Sequence, residues 1–175
     1  MPKSLADAKI RLDDSKTKVG TVVSNVLEVP ITALAGVGVL ALMCFINKSD
    51  YALGATGQDT VDEIEACKKG KGNAPGPASY GGSLTAFAYR DADGKMNADE
   101  SKVFNRLGEE GSTSYLYERE GKPGTAPWAV GDEGDFYEAV LGVQKPPSDR
   151  FSGYEKRTTQ LFIQDHMRFK VVAGS

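Results

Sequence analysis

STSYLYERE, residues 112–120, sets Tyr115 and Tyr117 on one side of an extended chain and Leu116 and Glu118 on the other, the period-two alternation of a strand with two dissimilar faces. GKPGTAP follows it with turn chemistry. Upstream, SLTAFAY (83–89) alternates Leu84, Ala86 and Ala88 against Thr85, Phe87 and Tyr89, and Asp91-Ala-Asp93-Gly94 closes it. Downstream, Phe136 to Val143 reads as a strand between the acidic GDEGD and Gln144-Lys145-Pro146-Pro147. Residues 155–164 and 167–173 read as two more strands, joined by a hairpin at Asp165-His166. Repeated short strands predict a mainly β, α+β chain: an antiparallel β-sandwich or barrel with one flanking helix and long loops.

The helix is NADESKVFNRL, 97–107. Asn97 can cap it, Glu100 stands where a capping box needs it, and Val103, Phe104 and Leu107 fall on one side. ITALAGVGVLALMCFI, 31–46, invites a membrane reading, but it follows Pro30, contains Gly36 and Gly38, and falls short of the roughly 20 apolar residues a spanning helix needs. A short helical turn at 30–35 leading into a buried strand around 39–46 is the expectation, with a membrane anchor as the competing reading. Lys9 to Leu12 reads as a first strand and Val19 to Leu27 as extended. GATG (54–57) suggests a loop or hairpin connection, and residues 59–82, rich in Gly, Pro and Lys, read as one long loop of the kind used for partner contact.

At 175 residues the chain fits a single domain, 1–175. Its 40% apolar and 26% charged residues are globular, and 20 glycines with 8 prolines suit a turn-rich β fold. The net charge of −3 supplies no field to condense a polyanion, which argues against tight nonspecific DNA binding. It is compatible with a channel that lets DNA slide. Cys44 and Cys67 match neither a CxxC pair nor a zinc cluster; buried reduced thiols are expected, with a disulfide as the alternative.

Nothing in the chain assembles into catalytic chemistry. DADG at 91–94 starts like a calcium loop but has its glycine fourth instead of sixth, so a hairpin turn accounts for it. GKGNAPG at 70–76 lacks the spacing of a phosphate loop. His166 is the sole histidine, too few for a multi-histidine metal site, and is expected to be solvated in a turn. Acidic pairs at Glu109-Glu110, Asp132-Glu133 and Glu133-Asp135 lie beside glycines and read as solvated charge. Trp128 is a core anchor or an interface anchor. No enzyme, cofactor or metal is expected.

Five segments in order, MPKSLADAKIRL (1–12), INKSDYALGATGQDTVDE (46–63), YGGSLTAFAYRD (80–91), STSYLYERE through PWAVGDEGDFYEAV (112–140) and PPSDRFSGYEKRTTQLFIQD (146–165), resemble the major tail tube proteins of long-tailed phages of actinobacterial hosts. The run 31–46 is more continuously apolar than that pattern. The resemblance implies a β-sandwich or barrel forming hexameric rings that stack into a tube, with inner sheets joined around a lumen through which DNA passes without specific binding. It implies assembly in the host cytoplasm, a place in the virion tail, and contact with tape-measure, terminator and distal tail proteins. By that analogy the inter-ring and inter-subunit contacts go to an N-terminal arm through Leu27, with Leu5, Ile10 and Leu12, and to the long loop, with Lys68, Lys69, Lys71, Pro75, Pro77 and Tyr80, and Trp128 joins them. Glu118, Glu120, Glu133, Asp135 and Glu138 become candidates for a weakly repelling lumen lining. Competing readings are a tail terminator or completion protein, and a monomeric β-sandwich module binding carbohydrate through Trp128 and Tyr80.

Overall fold

In a computed structural model, described for residues 9–13, 20–35, 39–63, 72–124, 126–148 and 153–174, the chain is mainly β. The strands are β1 (Lys9–Asp13), β2 (Thr21–Val23), β3 (Val26–Pro30), β4 (Val39–Ala41), β5 (Ala52–Glu63), β6 (Gly72–Phe87), β7 (Thr113–Arg119), β8 (Glu133–Lys145) and β9 (Lys156–Val172); the helices are α1 (Ile31–Leu34) and α2 (Lys102–Leu107). Among the described residues they form one sheet, ordered β2-β3-β9-β8-β7-β1-β4, with β6 also on β9 and β5 on β6. Every pairing is antiparallel except β3 with β9, so the sheet is mixed, not purely antiparallel.

β9 is the spine. One of its edges pairs with β8 from Lys145↔Thr158 to Glu133↔Lys170; the other pairs first with β6, up to Gly82↔Leu161, and then with β3, from Val26↔Arg168. The hairpin expected at Asp165-His166 is therefore corrected to one continuous strand. The irregularity present there is a bulge, not a turn: Asp165 faces Glu138 while Ile163 faces Ala139. Tight turns occur where the backbone demands them, as at Ser24 and Asn25, whose φ of 49° and 65° make the two-residue link between β2 and β3.

Both faces of the sheet are buried, by two separate cores. The first face packs Leu84, Leu116, Tyr137, Leu141 and Leu161 under Leu42, Ile46 and the Val103, Phe104 and Leu107 stripe of α2. The second packs Tyr115, Tyr117, Phe136 and Phe169 with Leu27, Val29, Leu34 and Trp128. Alternation makes this possible, because consecutive residues such as Leu116 and Tyr117 enter different cores, each burial worth roughly 1.5–3 kcal/mol. The helix is shorter than 97–107. Asn97 instead accepts from the backbone N–H of Asp99 and Glu100 and caps a turn that precedes α2.

Three further expectations change. Residues 59–63 and 72–82 are not loop: they belong to the long β5–β6 pair, which runs from Ala52↔Ser83 to Glu63↔Gly72. The prolines that suggested a loop sit where β6 has left β9, and there a missing N–H breaks no second ladder. The apolar run divides into α1 and the three-residue β4; among the described residues no helix is long and apolar enough to cross a membrane. Cys44 is exposed and free, not buried, and Cys67 lies outside the described residues.

Candidate assembly surface

The β5–β6 hairpin is an arm with a fixed root. At its root, Tyr51 and Leu53 pack against the first core together with Tyr80. The Tyr51 hydroxyl donates a 2.8 Å hydrogen bond to Glu118. Tyr80 stacks on His166 at 4.3 Å between ring centroids, and His166 Nε2 lies 3.0 Å from Asp135 Oδ1. Beyond the root, residues 55–60 are exposed, as are Pro75, Pro77, Ala78 and Ser79. A two-stranded ribbon solvated on both sides is marginal by itself, and an exposed edge of this length is one that proteins pair or cover.

Below the root, the first face becomes charged. Glu118, Asp135 and Arg168 occupy directly facing positions across β7, β8 and β9, and Glu133 faces Lys170, which faces Glu28. Arg168 reaches Asp135 at 3.3 Å and Glu120 at 3.9 Å. Of the five acids suggested as one lining, Glu120, Glu133 and Asp135 fall together on this face. Glu118 shares the face but is corrected from solvated to buried: it is 4% exposed beneath Tyr51, and burial raises its pKa, with the Tyr51 hydrogen bond opposing and Asp135 and Glu120 adding to the rise. Glu138 is corrected to the opposite face, where it stands between Tyr115 and Asp165; the parity of β8 puts it one residue out of step with Asp135 and Tyr137.

Trp128 is corrected to the core. It is 7% exposed, packed against Phe169, with the Arg119 guanidinium 4.8 Å from its ring. Arg119 itself is fully buried and donates to the carbonyls of Pro123, Ala126 and Pro127 and, at 2.8 Å, to Asp132. Lys122 supplies the second cation to Asp132. Although burial pushes the Asp132 pKa up, these hydrogen bonds outweigh it and hold the carboxyl below its usual range. This knot fixes residues 120–124 and 126–132 over the second core.

The arm through Leu27 is also narrower than expected. Ile10 and Leu12 belong to β1, paired on both edges by β7 and β4, and Leu27 is a fully buried core residue of β3. Leu5, Lys68, Lys69 and Lys71 lie outside the described residues. Pro75 and Pro77 lie exposed on the arm, and Tyr80 belongs to its root. Sequence reasoning missed Tyr51 and His166 as root residues: Tyr51 adjoins a strand that was read as loop, and His166 sits in a strand that was read as a turn. Asp91 Oδ1 does accept from the N–H of Asp93 and Lys95, with Gly94 at φ +77°, the hairpin turn expected of DADG.

No group of three or more His, Cys, Asp or Glu residues able to hold a metal occurs among the described residues. A mainly β sheet accords with the resemblance in the segments quoted above. No curated protein matches the chain. A family model described as phage tail tube protein matches residues 1–175, over its whole length, and the chain belongs to that family of structural proteins of the virion tail.

Proposed function

We propose that the chain polymerises as stacked, hexameric rings into the tail tube, the conduit for DNA ejection. The observation that carries this reading beyond family membership is the β5–β6 arm, a rooted, 12-residue strand pair with its distal part in solvent. Such a ribbon gains stability when a neighbouring copy covers it. The first face, with Glu28, Glu120, Glu133 and Asp135 against Arg168 and Lys170, is the candidate lumen lining. An excess of carboxylates keeps a polyanion from settling, so DNA passes without specific binding. By the same resemblance the N-terminal segment is assigned to contact with the adjoining ring. Tape-measure, terminator and distal tail proteins cap and gauge the tube, which assembles in the host cytoplasm.

Concentrating the purified chain tests this. Rings and tubes in negative stain are expected from the wild type, and a variant in which residues 56–79 are replaced by a two-residue turn stays a folded monomer. An armless chain that still builds tubes contradicts the reading.

A further inference from the structure

The second face of the sheet is left bare at one end. Beyond the second core, Phe162 and Val143 are 50% and 51% exposed. Phe162 faces Val140 across β8 and β9, and its ring covers Gly142, where an added Cβ would meet it at 2.9 Å. Gln160 and Thr158 continue the same face along β9. The centre of this patch is aromatic, β-branched and uncharged, the composition of an interface centre and not of a solvated sheet face. Lys145, which faces Thr158, is exposed at its end.

We propose that this patch receives the β5–β6 arm of a second copy. The proposal rests on the tube reading and assigns the arm its docking surface. The exposed arm residues Ala55, Thr56, Gly57, Gln58, Thr60, Pro75, Pro77, Ala78 and Ser79 are small or uncharged, and Asp59 is the exception. Laid on the Phe162 patch, such a surface meets carboxylates only at the edge held by Glu138 and Asp165, whereas the first face would set it against Glu120, Glu133 and Asp135 together. The remaining charge is complementary at one end: Asp59 is exposed on the arm, and Lys145 is exposed where the patch ends away from Glu138 and Asp165. The arm is rooted on the first face, through Tyr51 and Tyr80, and the patch lies on the second. Donor and acceptor on opposite faces of one sheet make a heterologous contact, in which each copy gives an arm one way and accepts one from the other; that arrangement closes into rings or runs on as a filament.

The full chain tests it, by pelleting and negative-stain images with circular dichroism as the check on folding. Phe162→Glu is expected to pellet about tenfold less than the wild type, and Phe162→Leu to assemble. Lys145→Glu and Asp59→Lys each weaken assembly, and the double charge swap recovers most of it. Both of those sites are exposed, so the swap decides the matter even if Phe162→Glu misfolds. Phe162→Glu tubes of wild-type yield, or a swap no better than its single variants, overturn the docking surface and leave the tube reading standing. A wild type that forms neither rings nor tubes overturns both.

Discussion

Tyr51 and Glu118, 67 positions apart in sequence, meet in a 2.8 Å hydrogen bond that ties the root of the β5–β6 arm to the C-terminal end of β7. The bond is partly buried, and its acceptor is the buried Glu118 carboxylate. Losing the donor is costly because water cannot replace it. Tyr51→Phe is expected to cost about 1–3 kcal/mol in urea unfolding and to speed amide exchange in the first residues of β5. An exchange pattern unchanged from wild type contradicts the root.

Glu118→Gln is expected to do the opposite at neutral pH. Burial, reinforced by Asp135 and Glu120, raises the folded-state pKa of Glu118, so the folded chain holds that proton more tightly than the unfolded one. Its contribution is then most favourable at acid pH and falls as pH rises from the unfolded toward the folded pKa. Glutamine keeps an acceptor for Tyr51 and has no such penalty. The stability difference, Gln variant minus wild type, should grow with pH across that window; a difference that shrinks refutes the assignment.

Asp132→Asn leaves the fully buried Arg119 guanidinium without its carboxylate, a change expected to cost about 3–5 kcal/mol. The sign of the pH effect reverses here. The Asp132 pKa is lowered in the fold, so its stabilisation is present above the unfolded pKa and is lost as pH falls through the folded one. The variant should lack that acid limb, and Trp128 fluorescence should report the loosened 120–132 segment.

Gly134→Ala is expected to break the β7–β8 ladder. A Cβ at this position would overlap the Glu118 carbonyl, a backbone atom that cannot swing aside. Loss of soluble, folded protein is the expected result, whereas Gly131→Ala, which meets open space at φ +89°, should show only the milder strain of a left-handed residue.

How much could be read beforehand followed the physics of each segment. Strands with two dissimilar faces announce themselves, as in 83–89 and 112–120, because alternation survives without any tertiary context. β9 was cut in two because Asp165 and His166 are polar; their reason for lying mid-strand, pairing with Glu138 and Tyr137 on the next strand, is invisible along the chain. In sequence the arm reads as a loop, because its glycines and prolines are tolerated only where one edge of β6 is free, which is a fact of topology. Among the candidate lining residues, one-residue parity separated Glu138 from Asp135, and burial beneath Tyr51 removed Glu118 from solvent. The parity is legible along β8 itself, whereas a covering arm leaves no mark on the residue it covers.

A reconstruction of the assembled protein by electron cryomicroscopy tests the central claim most directly. The account predicts stacked rings around an open channel, with Glu120, Glu133 and Asp135 facing the channel and the β5–β6 arm of each copy lying on the Phe162 face of another. A closed particle without a channel, or a tube whose channel is lined by the Phe162 face, would contradict it.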